Sequence, residues 1–180
     1  MREFNTRDSI KRVRYFDGQM VTAQDLAAEQ EYFLRKMRRH NRNLHGSGIV
    51  SGLEIAFRGE LIVVSPGYAL DCVGDEIFVE SPVELHWPVD QESCYLILRY
   101  VERARDRVPV PFGDQEKFEN SRIEEGFELI FTTEETWKEH KEEGSCWTPR
   151  GKRHGIPLAR LVFKRDRWEV DDSFVRPVVR

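Results

Sequence analysis

Residues 38–55, RRHNRNLHGSGIVSGLEI, join a segment of helical character to one that resembles a β-sheet. The first eight residues contain three arginines and two histidines, and an apolar run punctuated by glycines follows. Glycine just after a helical pattern indicates where a helix ends. We therefore predict that a helix ends near Gly46 and Gly48 and that a sheet begins there.

The segment before this junction predicts a long helix, because residues 23 to about 43 contain neither proline nor glycine. Thr22 and Asp25 have the spacing of a capping box, with aspartate in place of the usual glutamate. The predicted stripe along one face mixes apolar, amide and histidine side chains: Leu26, Gln30, Phe33, Met37, His40, Asn41 and Leu44. Buried amides must find partners, so this stripe suits an interface that requires a fixed register. The same helix could instead cover one sheet as a lid.

The rest of the chain predicts an arm before the helix and β-structure after it. Residues 1–21 are charged and contain RYFDGQM, in which Asp17-Gly18 indicates a tight turn. Beyond residue 47, β-rich runs alternate with turn formers; they are IVSGLEIAF, ELIVVS, DEIFVE, VELHW, CYLILRYVE, FELIFT, LARLVF, RWEVD and FVRPVV. Residues 104–126 predict a polar loop, and residues 133–143 predict a short inserted acidic helix.

These patterns predict an α+β fold with two parts. Residues 1–46 would form the arm and the long helix, and residues 47–180 a mainly antiparallel β-barrel or sandwich of about eight to ten strands. The 180 residues are 39% apolar and 33% charged, which is typical of a globular protein with a solvated surface. No apolar run approaches the length of a membrane helix, and the N-terminus lacks the apolar core of a signal peptide.

Charge and cysteine content narrow the function classes further. Residues 1–48 carry ten basic and six acidic side chains, whereas the remaining residues carry 18 and 26. A basic front and an acidic remainder favour docking or self-assembly over general nucleic-acid binding. The three cysteines Cys72, Cys94 and Cys146 are widely spaced, so we expect reduced thiols rather than a zinc or redox pair.

The histidines are the candidates for a metal site. His40 and His45 are five residues apart, whereas one helix face needs a spacing of three or four. A small metal-dependent β-barrel enzyme could use them with His86, His154 and a carboxylate, but no recognised ligand spacing connects these residues. No catalytic motif is present either, so we expect no enzyme activity, no cofactor and no metal.

Two charged clusters also have alternative interpretations. Arg35, Arg38, Arg39 and Arg42 are predicted to lie opposite the stripe, where they could bind phosphates. Because no aromatic residues alternate with them and an acidic region follows, a nucleic-acid-binding module is the less favoured hypothesis. The second cluster, Asp71, Asp75, Glu76 and Glu80, lacks the spacing of a calcium loop and predicts turn residues at a soluble sheet edge.

One long string resembles a known pattern as a whole. It runs through Tyr15-Phe16-Asp17-Gly18-Gln19, Thr22-Ala23-x-Asp25-Leu26, Glu29-Gln30-x-Tyr32, His40-Asn41-Arg42-x-Leu44-His45-Gly46 and Gly48-Ile49-Val50-x-Gly52-Leu53. The string resembles the start of small structural proteins of contractile phage-tail-like injection systems and of phage baseplate and tail-fibre attachment proteins. Weaker similarity continues through VSPGYALDCVGDEIFV and SRIEEGFEL to IPLARLVF and DDSFVRPVV near residue 179.

This resemblance implies a non-enzymatic structural part of a phage-tail-like particle, at its baseplate or a fibre attachment point. It implies other tail or baseplate proteins as partners. The lack of a predicted membrane helix or signal peptide leads us to expect synthesis in the cytoplasm, and the mixed stripe of the helix leads us to expect a homo-oligomer, with a trimer favoured. Neither nucleic acid nor a membrane span is expected. The interface candidates are Tyr15, Phe16, Asp17, Gly18, Gln19, Leu26, Gln30, Phe33, Met37, His40, Asn41, Leu44 and His45.

Overall fold

The described residues form one α-helix followed by ten strands. The computed structural model describes residues 10–88, 92–110, 117–133, 155–164 and 166–179. Helix α1 spans Ala23–His40, and a π-helical turn follows at Asn41–His45. The strands are β1 (Gly48–Gly52), β2 (Ile55–Arg58), β3 (Leu61–Val64), β4 (Gly67–Leu70), β5 (Glu76–Val79), β6 (Val83–His86), β7 (Ser93–Val110), β8 (Lys117–Thr132), β9 (Ile156–Lys164) and β10 (Arg167–Val170).

The strands form three antiparallel sheets around one core. Their orders are β1-β4-β5, β2-β3-β6 and β10-β9-β7-β8. Each sheet contributes fully buried aliphatic side chains, such as Ile77 from the first, Ile62 from the second and Leu98 from the third. Burial of such a side chain stabilises a fold by about 1.5–3 kcal/mol, so this shared core holds the three sheets together.

The predicted α+β class and the mainly antiparallel pairing are confirmed, but two details of the prediction are not. The described strands form three separate sheets and no closed barrel. The predicted long helix is also absent at its predicted length, because α1 has 18 residues and ends at His40. Beyond that residue the backbone widens into the π turn, in which the Gly46 N–H bonds to the Asn41 carbonyl at 3.1 Å.

The described parts of the range 104–126, residues 104–110 and 117–126, are strands and not the predicted polar loop. β7 and β8 continue as a paired hairpin from Tyr95 opposite Thr132 as far as Val110 opposite Lys117. The predicted strand FVRPVV is also wrong, because only Val178 forms a bridge, parallel to Ile49. The inserted helix predicted at 133–143 lies outside the described residues, apart from Thr133.

Candidate assembly surface

The aromatic turn before the helix is a closed local structure. The Gln19 N–H donates to the Phe16 carbonyl at 3.1 Å, and the Phe16 N–H donates to Gln19 Oε1 at 3.3 Å. Gly18 has a φ of 81°, which glycine reaches without strain and other residues do not. The Tyr15 hydroxyl donates to the Glu29 carboxylate on α1, and this bond raises the pKa of Tyr15. The predicted turn at Asp17-Gly18 is confirmed, and the arm is tied to its own helix.

The predicted capping box at the start of α1 is confirmed. Asp25 N–H donates to the Thr22 hydroxyl oxygen at 3.2 Å, and Thr22 N–H donates to Asp25 Oδ2 at 2.9 Å. The two hydrogen bonds that Asp25 accepts from Thr22, first from its hydroxyl and then from its N–H, lower the pKa of Asp25. The box satisfies N–H groups that have no partner inside the helix, and it therefore fixes where α1 begins.

α1 projects its apolar stripe into solvent. None of its residues is buried, which is inconsistent with the alternative that the helix lies as a lid on a sheet. Leu26 is 55% exposed, Phe33 60% and Met37 53%, and Gln30 beside them is also exposed. Leu44 in the π turn is 66% exposed. Apolar side chains aligned on an exposed helix are typical of a surface that contacts another protein.

The end of the helix, in contrast, is anchored to the β-structure. Arg38 Nε donates to Asp75 Oδ1 at 2.5 Å, and its Nη2 lies 3.3 Å from Glu102 Oε1. Asn41, which is 6% exposed, donates through Nδ2 to the Gly74 carbonyl at 3.0 Å and to Glu76 Oε1 at 3.3 Å. The Asn41 amide therefore binds the turn between β4 and β5 within the same chain.

That turn is organised from within by Asp71. Its Oδ1 accepts hydrogen bonds from the N–H groups of Val73, Gly74 and Asp75, each at 2.8 Å. Burial raises the pKa of the Asp71 carboxyl, and the three N–H donors act in the opposite direction. Asp71 and Asp75 are both buried, so their predicted role as soluble residues of a sheet edge is wrong. Their place in the anchor depends on contacts with a helix more than 30 residues earlier, and no local sequence signal indicates such contacts.

The four arginines were predicted to lie together opposite the stripe, but the structure places them in different surroundings. Arg38 points to the β-structure and pairs with two carboxylates, whereas Arg35 is exposed and lies 3.9 Å from Glu31. Arg39 is exposed and Arg42 is half-buried. The four cations are therefore dispersed around the helix end, which does not favour a shared phosphate site.

The rings of His40 and His45 do meet, edge to face, with 5.4 Å between their centroids. His86 lies in β6, and His154 lies outside the described residues. Within the part of the chain that the structure describes, no three His, Cys, Asp or Glu side chains are placed to hold a metal ion.

A second projecting element was missed by the sequence analysis. β9 pairs with β7 only from Ser93 to Leu98, so the outer part of the β7–β8 hairpin extends beyond the sheet as two strands. We call residues 102–110 and 117–125 the ribbon. Between the ribbon and α1 lies an open groove, lined on the helix side by Gln30, Phe33, Leu34 and Met37. Three of these four are sequence-predicted interface candidates.

Comparisons with known proteins identify a shared fold. No family model matches the chain, and no curated protein matches it. Among solved structures, a chain of the type VI secretion system TssK-TssF-TssG baseplate subcomplex is similar, with a TM-score of 0.56 and 15% identity over 94% of this chain. The crystal structure of TssK matches 91% of it at a TM-score of 0.54 and 11% identity. A chain of a type VI secretion baseplate complex matches 94% at 0.54 and 14%.

The chain spans 62%, 41% and 60% of the lengths of those three chains, in the same order. At these identities the likeness is one of fold, and it extends over nearly all of this chain. Among the described residues, no helix combines the length and the apolar character needed to cross a membrane.

Proposed function

We propose that this chain is a non-enzymatic structural component of a contractile phage-tail-like particle, at a baseplate or fibre-attachment position. The observation that carries the proposal is the fold similarity to baseplate proteins of the type VI secretion system over more than nine-tenths of the chain. The resemblance of residues 15–53 to phage-tail-like proteins supports the same assignment from the sequence.

The arm and the helix are the parts that would dock onto neighbouring subunits, while the three sheets form a rigid body. Phe16 is 66% exposed beside the tethered Tyr15, and the apolar stripe of α1 continues from the arm in the same chain segment. A tethered turn loses little conformational freedom when it docks, so its exposed aromatic ring can contribute most of its burial energy to binding.

The partners in this proposal are other tail or baseplate proteins and further copies of the same chain, with a trimer as the favoured homo-oligomer. The protein would be made in the cytoplasm and assembled there into the particle. Neither a cofactor nor nucleic acid takes part in this role. A stoichiometric metal ion in the native mass spectrum of the purified protein would instead favour the metal-dependent enzyme hypothesis.

The test is incorporation of an arm variant into particles. Tyr15→Ala combined with Phe16→Ala removes two exposed rings, so the unfolding midpoint should stay close to that of the wild type while incorporation, measured in purified particles by immunoblot, falls strongly. Tyr15→Phe is the matched control, since it removes the bond to Glu29 and keeps the ring. Normal incorporation of the double alanine variant would contradict the docking role.

A further inference from the structure

The ribbon buries none of its described side chains, although its first residue, Glu102, pairs with Arg38 at 3.3 Å. Its residues 102–109 and 117–125 are all exposed. Ile123 is 68% exposed, and Val108 and Phe118 are also exposed large apolar side chains. Two-stranded hairpins alone are marginally stable in water. A two-stranded projection with apolar side chains on its surface is therefore expected to be stabilised by contact with another molecule.

The two faces of the ribbon carry opposite charge. Side chains alternate between the faces of a strand, and paired residues share a face. Because Glu102 pairs with Glu125 and Arg103 with Glu124, the register separates the charged residues into two sets. The acidic face holds Glu102, Asp106, Glu119 and Glu125, together with Lys117. The basic face holds Arg103, Arg105, Arg107 and Arg122, together with Glu124.

The acidic face forms one wall of the groove, and α1 forms the other. Glu102, Glu119 and Glu125 line the ribbon side, together with Asn120, Ser121, Arg122 and the apolar Ala104 and Ile123. Glu102 is paired with Arg38, and Glu119 with Lys117. Opposite them stand Phe33, Leu34 and Met37 of the helix. The groove therefore offers apolar contact and, on its ribbon side, more carboxylates than cations, with Glu125 outside any ion pair among the described residues, and this favours an extended, basic occupant.

The basic face lacks enough anions of its own. Arg105 and Arg122 lie directly opposite each other, an arrangement of like charges that destabilises a strand pair. Arg105 is relieved by Glu124 at 2.6 Å. Among the described residues Arg103 forms no ion pair, and neither does Glu125 on the other face. The basic face thus carries an unpaired cation, Arg103, and the acidic face an unpaired anion, Glu125, and the two would neutralise each other in contact.

We propose that the groove of one copy accepts the basic face of the ribbon of a second copy. The two faces match in charge, and the ribbon is narrow and extended, as the groove requires. The Phe118 ring, which the Arg107 guanidinium covers at 4.7 Å, supplies an apolar side chain for the groove. A ribbon cannot enter its own groove, because it forms one wall of that groove.

This contact is head-to-tail. Each copy places its ribbon in the groove of one neighbour and accepts the ribbon of another neighbour in its own groove. Successive copies therefore close into a ring when the rotation between them allows it. Exposed ion pairs contribute little affinity, so the charges select the register while Phe33, Met37 and Ile123 supply most of the binding energy. The inference rests on the homo-oligomer part of the proposed function and adds the surface that forms it.

Charge reversal with a restoring second change tests the contact. We expect Arg103→Glu and Glu125→Arg each to weaken self-association of the full chain by about tenfold or more, because each places like charges in contact. The double variant Arg103→Glu/Glu125→Arg exchanges the two signs and should recover the association of the wild type. Arg58→Glu, at an exposed position on β2, is the control for charge reversal and should change nothing. Sedimentation velocity and native mass spectrometry measure the oligomer.

Each alternative result overturns the proposal in a recognisable way. Unchanged oligomers in both single variants would mean that copies join elsewhere, and the proposed function would stand. A wild-type chain that is monomeric, but binds another baseplate protein in a manner that Glu125→Arg abolishes, would assign the groove to a different occupant. The proposed function is tested by a different measurement, the incorporation of the Tyr15→Ala/Phe16→Ala variant into particles, so the two proposals can fail independently.

Discussion

β7 lies in two environments along a single strand. From Ser93 to Tyr100 every position is buried or half-buried, and Leu96 and Leu98 are fully buried in the core. From Glu102 to Pro109 every position is exposed, although the pairing with β8 continues in the same register. The pairing with β8 is therefore alike in the two halves, but only the first half also pairs with β9 and packs in a core.

The comparison teaches that regular pairing and stability are separate properties. Backbone hydrogen bonds contribute little net free energy in water, whereas burial of apolar surface drives folding. The inner half of β7 is consequently part of the folded body in a single copy. The ribbon and the exposed helix α1 share the opposite condition, because neither contributes a buried apolar side chain to that body.

The largest contrast should come from matched alanine substitutions in the two halves. Leu98→Ala leaves a cavity in the shared core and should lower the free energy of unfolding by about 3–4 kcal/mol. Ile123→Ala, at a side chain that is 68% exposed, should change it by less than about 0.5 kcal/mol in a monomeric sample. Urea unfolding followed by circular dichroism measures both. Equal losses would show that the ribbon is packed in the single chain.

The second largest loss of stability should come from breaking the ion pair that anchors α1 to the β-structure. Arg38→Ala leaves Asp75 as a buried charge beside Glu102, and we expect a loss of about 3 kcal/mol in the free energy of unfolding. Arg35→Ala, which removes an exposed pair on the same helix, should cost less than about 0.5 kcal/mol. Thermal and urea unfolding provide the comparison. A small effect of Arg38→Ala would mean that α1 is not held through this ion pair.

Gly74→Ala tests how closely the helix end approaches the body. A Cβ at this position would lie 2.2 Å from the Arg38 carbonyl oxygen, and the φ of 100° is unfavourable for alanine. We expect the free energy of unfolding to fall by about 2 kcal/mol, because the backbone has to move away from the new Cβ and alanine is also strained at this φ. Gly18→Ala has a positive φ but open space, so it should cost about 1 kcal/mol. Equal losses of stability in the two variants would mean that the positive φ alone causes the destabilisation, without a contribution from the close approach of the helix end.

The smallest effect is expected at the free end of the helix. Thr22→Ala removes the hydroxyl of the capping box and should destabilise the first turn of α1 by about 1 kcal/mol. Since α1 buries nothing, hydrogen exchange should accelerate in the first turn while the amides of β7 near Leu98 keep their protection. Thr22→Ser keeps the hydroxyl and should leave exchange unchanged. Faster exchange in β7 would couple the helix start to the core.

Local signals explain what could be predicted from the sequence. The capping box at Thr22 and the turn at Asp17-Gly18 depend on residues within four positions of each other, and both were predicted correctly. The β-rich run CYLILRYVE likewise located the inner part of β7. The stripe of α1 was predicted from its helical period, whereas its exposure was not, because the same pattern allowed either an interface or a lid.

The errors arose where distant residues decide the structure. In its sequence the ribbon looks like a loop, because no core selects apolar residues there. Asp75 pairs with Arg38, and Asn41 binds the turn that Asp71 organises, but no sequence spacing connects these two segments. FVRPVV has the composition of a strand, yet it pairs with β1 at one bridge only, between Val178 and Ile49. At this bridge the Ile49 N–H donates to the Pro177 carbonyl and the Val179 N–H donates to the Ile49 carbonyl.

The anchored end of α1 has a mechanical consequence. An α-helix of 18 residues is about 27 Å long, and the described contacts that hold this one to the body include those of Arg38 and Asn41 at its C-terminal end. A tilt of about 10° about that end would displace the aromatic turn by about 5 Å, which is about the spacing between two strands. The turn at Gly74 therefore sets the reach of Tyr15 and Phe16, and a subunit that presses on this turn would steer the arm without touching it.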